Sequence, residues 1–456
     1  MAGEVLAQGG ATQGATTLAS PRSEAALVRR AVAGATIGNA LEFYDFVTYS
    51  FFAIQIGHAF FPSHSSYVSL MASLATFGAG FVTRPFGGLI IGAYADRAGR
   101  RPAMMLSFIL MGVAIIAMAL IPSYAQIGIA APILAVIARL VQGFSLGGEV
   151  GPTTAYLLEA APAHRRGFSV SWQGASQGLS AAVGASVGFG LSSVMAPAAL
   201  DAYGWRIAFL LGAVTLPFGL WLRHTLPETL HATEPQPAAP PATSATPGAA
   251  ASEPTPMGLV RSSRRIIGLA LVVLAAGTIG TYVFNYMTTF AQHTLHMKPG
   301  PAFAAGALGN LMGVAGGLFG GWLSDKIGRR PVMIWPALVN LVMLIPLFAW
   351  ITGSRTVLAL TVGTAAISLV GAIGSGAFYP AVAESLPKRI RGGAFATTYA
   401  LAIAVFGGTT QLVLTWLIHV TGSNMAPAWY LFGASILGLC ARWLIVESAP
   451  AKTGAA

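Results

Sequence analysis

The chain has 456 residues, of which 55% are hydrophobic and only 9% charged, whereas a soluble domain carries about 25% charged residues. With a mean hydropathy of +0.69, so sparse a set of charges cannot coat a water-facing surface, which excludes a soluble globular enzyme and makes lipid the solvent for most of the chain. The formal charge of +11 does not point to nucleic acid either, because the basic residues fall in short stretches between apolar runs and not on one polar face.

Residues 1–30 are mostly Ala, Gly, Ser, Thr and Gln, with no unbroken apolar core of the kind a cleavable signal needs, and read as a disordered cytoplasmic tail. Apolar segments long enough to span a bilayer follow near 31–57, 66–94, 103–121, 127–158, 167–195 and 205–223. A second six lie near 266–291, 301–324, 332–351, 356–382, 393–420 and 427–446. The Pro and Ala rich run between the sets can neither bury a core nor continue a helix. The expected organisation is therefore an all-α membrane protein of twelve transmembrane helices: an N-terminal six-helix half over 31–226, a cytoplasmic linker over 227–262, a C-terminal half over 263–446 and a cytoplasmic tail over 447–456. The lone Cys440 leaves the redox compartment open.

Topology follows from the basic residues, which are retained on the cytoplasmic side. Nineteen of the 25 lie in the two tails, the linker and alternate loops; the opposite loops hold only Arg206, Lys298 and Arg355. Both termini are expected in the cytoplasm. Arg84, Arg139 and Arg442 remain, inside or at the ends of spans.

The halves repeat each other. GlyAlaTyrAlaAspArgAlaGlyArgArgPro at 92–102 recurs as GlyTrpLeuSerAspLysIleGlyArgArgPro at 321–331, each copy after the second helix of its half. Glu159, Pro162, Arg166 and Gly167 recur as Glu384, Pro387, Arg391 and Gly392, after the fourth helix. Parallel six-helix repeats of this kind hold a substrate site near mid-membrane.

These motifs resemble the loop signature of the major facilitator superfamily. GlyAsnAlaLeuGluPheTyrAspPhe at 38–46, ThrArgProPheGlyGly at 83–88 and ArgLeuValGlnGlyPheSerLeuGlyGlyGlu at 139–149 are similar to the metabolite:proton symporters. AlaGluSerLeuPro at 383–387 and AlaValPheGlyGlyThrThr at 404–410 lean toward the citrate and tricarballylate carriers within that group. The resemblance implies a proton-coupled symporter that imports a small carboxylate across the inner membrane. It also implies a salt-bridged gate at the helix ends, built on Asp96, Arg100, Glu159, Asp325, Arg329 and Glu384; solvated helix ends are the plain alternative.

Intramembrane charges single out a site without the family. A charged side chain at mid-helix costs roughly 2.5–3.5 kcal/mol on insertion scales, so it normally faces a cavity and a partner. Gly38, Glu42, Asp45 and Tyr49 fall in one sector of the first helix; Arg139, Gln142, Glu149 and Thr153 do so on the fourth, beside Gly143, Gly147 and Gly151 at a spacing that permits close helix approach. Arg84 and Arg139 are the candidate clamps for substrate carboxylates, because a guanidinium offers a donor fork and stays charged. Glu42, Asp45 and Glu149 are the candidate proton carriers. Structural ion pairs, of Arg139 with Asp45 or Glu149 and of Arg84 with Glu42, are the competing reading. Gln142, Gln173, Gln177, Tyr282, Asn285 and Tyr399 are candidate substrate contacts, with interhelical hydrogen bonding as the alternative.

Enzyme-like patterns carry little. Gly143, Ser145 and Gly147 match a hydrolase motif that works only at a strand-to-helix turn, and here it lies in mid-helix. His293 and His296 have no nearby carboxylate or cysteine to complete a metal site, and no phosphate-binding loop precedes any lysine. The expectation is no catalysis and no cofactor. The expected partners are a small organic anion, protons and lipid, with no nucleic acid and no obligate protein partner, so a monomer suffices. A symporter of zwitterionic osmolytes such as proline or betaine, or a drug:proton antiporter, is the rival reading.

Overall fold

The computed structural model describes residues 36–41, 43–98, 100–147, 157, 161–214, 217, 261–387 and 390–453. Among these residues there is no strand, and the long helices number twelve. In the first half, α1 is helical over 36–41, 43–51 and Ala53–Phe60, and α2 runs over Ser66–Val82 and, past Thr83, Arg84–Ala98. Then follow α3 (Arg100–Leu120), α4 (Ala130–Leu146), α5 (Arg166–Val194) and α6 (Trp205–Val214). The second half holds α7 (Arg264–His293), α8 (Pro299–Ile327), α9 (Arg329–Ser354), α10 (Val357–Ser385), α11 (Arg391–Ala402, then Gly408–Thr421) and α12 (Ala426–Trp443).

Helices dominate because hydrocarbon offers a backbone no hydrogen bonds, so each span must satisfy its own. Six of them are long and apolar enough by length and composition to cross a membrane: Ser66–Tyr94, Arg264–His293, Pro299–Ile327, Arg329–Ser354, Val357–Ser385 and Gly393–Thr421. Their outward faces are apolar to a degree that water would not allow, with Val194 82%, Val342 74% and Leu89 73% exposed. The chain is a multi-pass membrane protein.

Two glycine-lined crossings hold the halves rigid. A Cβ at Gly143 or Gly147 of α4 would run into the carbonyl of Gly80 or Arg84 on α2. The same crossing recurs in the second half, where Gly316 and Gly320 of α8 meet the carbonyls of Leu369 and Ile373 on α10. Such contacts let backbones pack without an intervening side chain, which is how membrane helices associate when lipid is as apolar as leucine. The halves meet along α5 against α8, where Gly167 abuts Gly321, and along α2 against α11, where Gly78 abuts Gly408.

The structure shortens the expected loops. Asp325 and Lys326 lie inside α8, and the repeated motif breaks only at Gly328, whose φ of +105° suits a residue without Cβ. The expected spans 127–158 and 205–223 are described as far as Gly147 and Val214, with Leu157 and residue 217 beyond. Residues 1–30 and most of the linker lie outside the described residues, although 261 and 262 are already helical, ahead of α7. At the start of the expected tail, Glu447 accepts hydrogen bonds from the backbone of Arg329 and Arg330 at the start of α9, 2.8 and 2.9 Å.

The crossing predicts a sharp contrast. Gly143→Val should cost about 1–3 kcal/mol or more by overpacking, seen as loss of monodisperse protein in fluorescence-detected gel filtration. Gly190→Val, where an added Cβ meets nothing within 4 Å, should leave the elution profile unchanged.

Candidate functional site

Two guanidiniums lie at the centre of the first half, within electrostatic reach of each other. Arg84 is 4% exposed and Arg139 0%. Both lie against the Phe46 ring: Arg84 is 4.3 Å and Arg139 4.4 Å from its centroid. Phe81 covers Arg84 at 4.4 Å, and Tyr49 and Phe77 cover Arg139 at 4.5 and 5.1 Å. Gln142, one turn along α4, accepts a 2.6 Å hydrogen bond from Arg139 Nη1 and so orients it. Yet Nε and Nη2 of both arginines are buried without a hydrogen-bond partner. Each aromatic face returns about 0.5–2 kcal/mol, whereas a buried unsatisfied donor costs about 1–3 kcal/mol and more if charged. The arginines are held in place but not neutralised.

A cavity of about 240 Å³ opens beside them between the halves, with Phe46 as part of its wall. Gln177, Tyr282, Asn285 and Tyr399, all expected from the sequence, line it. Gln177 donates to the Tyr399 hydroxyl at 3.2 Å and so joins α5 to α11 across the halves; the Asn285 carbonyl oxygen has no partner. Arg84 lies within electrostatic reach of Tyr282 and Tyr399. The arginines themselves are not in the wall; Phe46, against which both stack, is. Gln173 is not in the wall: its Nε2 donates to Asn39 at 3.2 Å, tying α5 to α1. Just past Tyr399, α11 carries a π-turn over Ile403–Gly407, and a Cβ at Gly407 would stand 3.0 Å from the Tyr282 ring.

The expected carboxylates are only partly described. Glu42, Glu149 and Glu159 lie outside the described residues, as do the side chains of Asp96 and Arg100. Asp45 is 1% exposed and feels the charge of Arg139, but no ion pair joins the two; instead it packs against Gly212 of α6, and its Oδ1 has no hydrogen-bond partner. The Asp45–Arg139 salt bridge weighed from the sequence is thus not formed. Ser145, in mid-helix, exchanges hydrogen bonds with Ser107, and that hydroxyl is engaged in holding α4 to α3.

At the end of the bundle that carries the repeated motif, the second copy is fully built. Asp325 accepts from the backbone N–H of Gly167 and Phe168 at 2.8 and 2.9 Å, capping the positive N-terminus of α5 from the other half. Arg329 bridges Asp325 at 2.7 Å and Glu384 at 3.0 Å. Glu384 also accepts from Ser448 at 2.9 Å. Sequence reasoning missed Glu447 and Ser448, which sit beyond the last span. It also missed Tyr379, which lines the cavity with its ring 6.5 Å from that of Tyr399, and the phenylalanines of the cage, because an aromatic in an apolar helix looks like ordinary packing.

Residues 35–407 match the Major Facilitator Superfamily. The chain is 35% identical over 412 residues to a citrate-proton symporter of Klebsiella pneumoniae, covering 90% of each. It is 33% identical over 419 residues to a citrate-proton symporter of Salmonella typhi, covering 91% of this chain and 93% of that one. A proline/betaine transporter of Escherichia coli (strain K12) is 31% identical over 430 residues, covering 92% and 84%. Among solved structures, the proton:xylose symporter XylE bound to 6-bromo-6-deoxy-D-glucose superposes with a TM-score of 0.73, covering 93% of this chain and 97% of that one at 17% identity, which speaks to the fold alone.

The Glu447 cap predicts a pH dependence. Burial alone would push its carboxyl up, but hydrogen bonds from the backbone of Ala449, Arg330, Arg329 and Ser448 outweigh it and hold the group below the usual carboxylate range. A depressed folded value stabilises the protein above the unfolded value and is lost as pH falls through the folded one. The wild type should therefore melt above Glu447→Gln at pH 7, and the gap should close as pH falls below the ordinary glutamate range. A gap that stays constant well below the ordinary glutamate range would contradict the cap.

Proposed function

This chain belongs to the Major Facilitator Superfamily, and on that premise we propose that it is a proton-coupled symporter of a small carboxylate, citrate or a related di- or tricarboxylate. The observation that carries the reading is the pair of buried guanidiniums with Nε and Nη2 unpaired beside a cavity between the halves. A carboxylate is the ligand whose two oxygens fit such a fork. The citrate-proton symporters among the relatives supply the substrate class. The relatives are transporters, and the proposal assigns no catalytic role to any residue.

Substrate would enter the wall formed by Gln177, Tyr282, Asn285 and Tyr399 and displace the Phe46 ring to reach Arg84 and Arg139. Glu42, Asp45 and Glu149 are the proposed proton carriers. With all three ionised they outnumber two arginines and repel an anion; protonating one or two leaves the site neutral or positive. Asp45 fits this role, because a buried carboxyl oxygen without a donor is costly while charged. Proton and anion then bind cooperatively, and the loaded halves rock about the site. The proposal puts the motif-bearing end and both termini in the cytoplasm, following the basic residues. Asp96, Arg100, Glu159, Asp325, Arg329 and Glu384 form the gate at that end. One chain holds both halves and needs no protein partner.

The osmolyte reading has the proline/betaine relatives in its favour. A zwitterion with a quaternary or secondary ammonium would be best held by an acid beside its cation, and among the described residues the cavity wall holds none, its charged residue being Arg442. The geometry favours a net anion.

Proteoliposomes should accumulate citrate several-fold faster with an imposed inward proton gradient than without one; equal rates would remove proton coupling. Arg84→Lys and Arg139→Lys should fold and insert but lose affinity by tenfold or more, since lysine keeps the charge and loses the planar fork. Near-normal uptake by either would take that arginine out of the site. Asp325→Asn should slow transport while citrate binding in detergent survives, because the residue seals helix ends and does not touch the cavity.

A further inference from the structure

The cavity does not end at the tyrosine cluster. It continues into the second half between α7, α9, α10 and α12, where Asn340, Ser375, Ser435 and Arg442 line it. Arg442 stands sixteen residues into α12, roughly 24 Å along it and near its far end, where α9 begins. Asn340 lies eleven residues into α9, roughly 16 Å along it. Room for both is made on α10: a Cβ at Gly371 would stand 3.3 Å from the Asn340 amide nitrogen, and one at Gly374 would stand 3.0 Å from Arg442 Nη1.

Two features make this branch more than a packing gap. Among the described residues of the cavity wall, Arg442 is the charged one, and none is acidic. Its Nη1 donates to the Met333 carbonyl at 3.3 Å, a neutral acceptor, while its Nε is buried with no partner. The Asn340 carbonyl oxygen is likewise buried and unpartnered. An amide can turn about its terminal bond and present either its oxygen or its NH₂ to a ligand. A half-buried cation whose Nε is buried and free, an adaptable amide and the Ser435 hydroxyl, in a cavity wall whose described residues include no carboxylate, want an oxyanion.

We propose that this branch is a second carboxylate-binding station, with Arg442 as its cation and Asn340 as its hydrogen-bonding partner. It is separate from the Arg84 and Arg139 site and lies toward the motif-bearing end of the second half. The identity of its ligand rests on the carboxylate reading above. The ligand is a soluble carboxylate of the transported class, which the station holds more weakly than the central site because it offers one guanidinium and not two.

Titration calorimetry of the purified full chain in detergent, with citrate as the probe, should resolve two binding events. Arg442→Gln and Asn340→Leu should each abolish the weaker event or weaken it at least tenfold, and leave the tighter one within twofold of wild type. Arg139→Lys should do the reverse. Should Arg442→Gln fail to fold, Asn340→Leu, which fills the branch and leaves the Arg442–Met333 contact, decides the matter. A single wild-type event that Arg139→Lys removes, or a second event that survives in the folded variants, overturns the station while leaving the central site standing; a single wild-type event that Arg442→Gln removes and Arg139→Lys leaves intact sinks the central reading instead. Native mass spectrometry separates a lipid phosphate from a soluble anion: an anionic phospholipid retained by wild type and released by Arg442→Gln, with no second citrate event, also overturns it.

Discussion

The structure depends on keeping two positive charges where hydrocarbon would expel them. Arg84 and Arg139 sit among α1, α2 and α4 with almost no exposure, and the chain manages this by wrapping them in the faces of Phe46, Tyr49, Phe77 and Phe81. Aromatic faces fix a guanidinium without consuming its hydrogen-bonding edges. A carboxylate partner would have consumed them. On the proposed reading, the edges that stay free would give a substrate anion something to gain on arrival.

That packing is set by glycine. The α2–α4 crossing positions the two arginine-bearing helices backbone to backbone, and its counterpart at α8–α10 does the same in the second half. On the proposed reading each half moves as one body, and motion falls to the contacts between halves. At one end these are polar and specific: Asp325 caps α5, and Arg329 ties the cap to Glu384 on α10. At the centre they are adaptable, with the Gln177–Tyr399 hydrogen bond and the π-turn of α11 next to it. A rocking carrier needs this division between rigid halves and breakable seams.

Much of this was legible in the sequence because hydrocarbon imposes a one-dimensional constraint: a span must be apolar over a fixed length, and a charge inside it stands out. Arg84 and Arg139 were found that way, and the repeated motif marked Asp325 and Arg329. What failed depended on direction. Gln173 and Gln177 lie four residues apart on α5, yet one turns to Asn39 and the other to the cavity. Asp45 was expected in one polar sector of the first helix with Glu42 and Tyr49, and as a candidate partner of Arg139, but it packs against Gly212 of α6 and forms no ion pair with Arg139. Glu447 gave no signal, since a cap for α9 that comes from 118 residues downstream has no local signature. Arg442 was visible only as a basic residue at a span end; the cavity behind it is a product of how α9, α10 and α12 pack.

The central claim is that the free edges of Arg84 and Arg139 await a carboxylate, and the most direct measurement is a structure of the protein with citrate bound. The account predicts Phe46 displaced from the arginines and citrate carboxylates within hydrogen-bond distance of Nε or Nη2 of both. Citrate bound in the cavity with the Phe46 cage intact and both guanidinium edges still empty, or edges occupied by protein carboxylates, would contradict it.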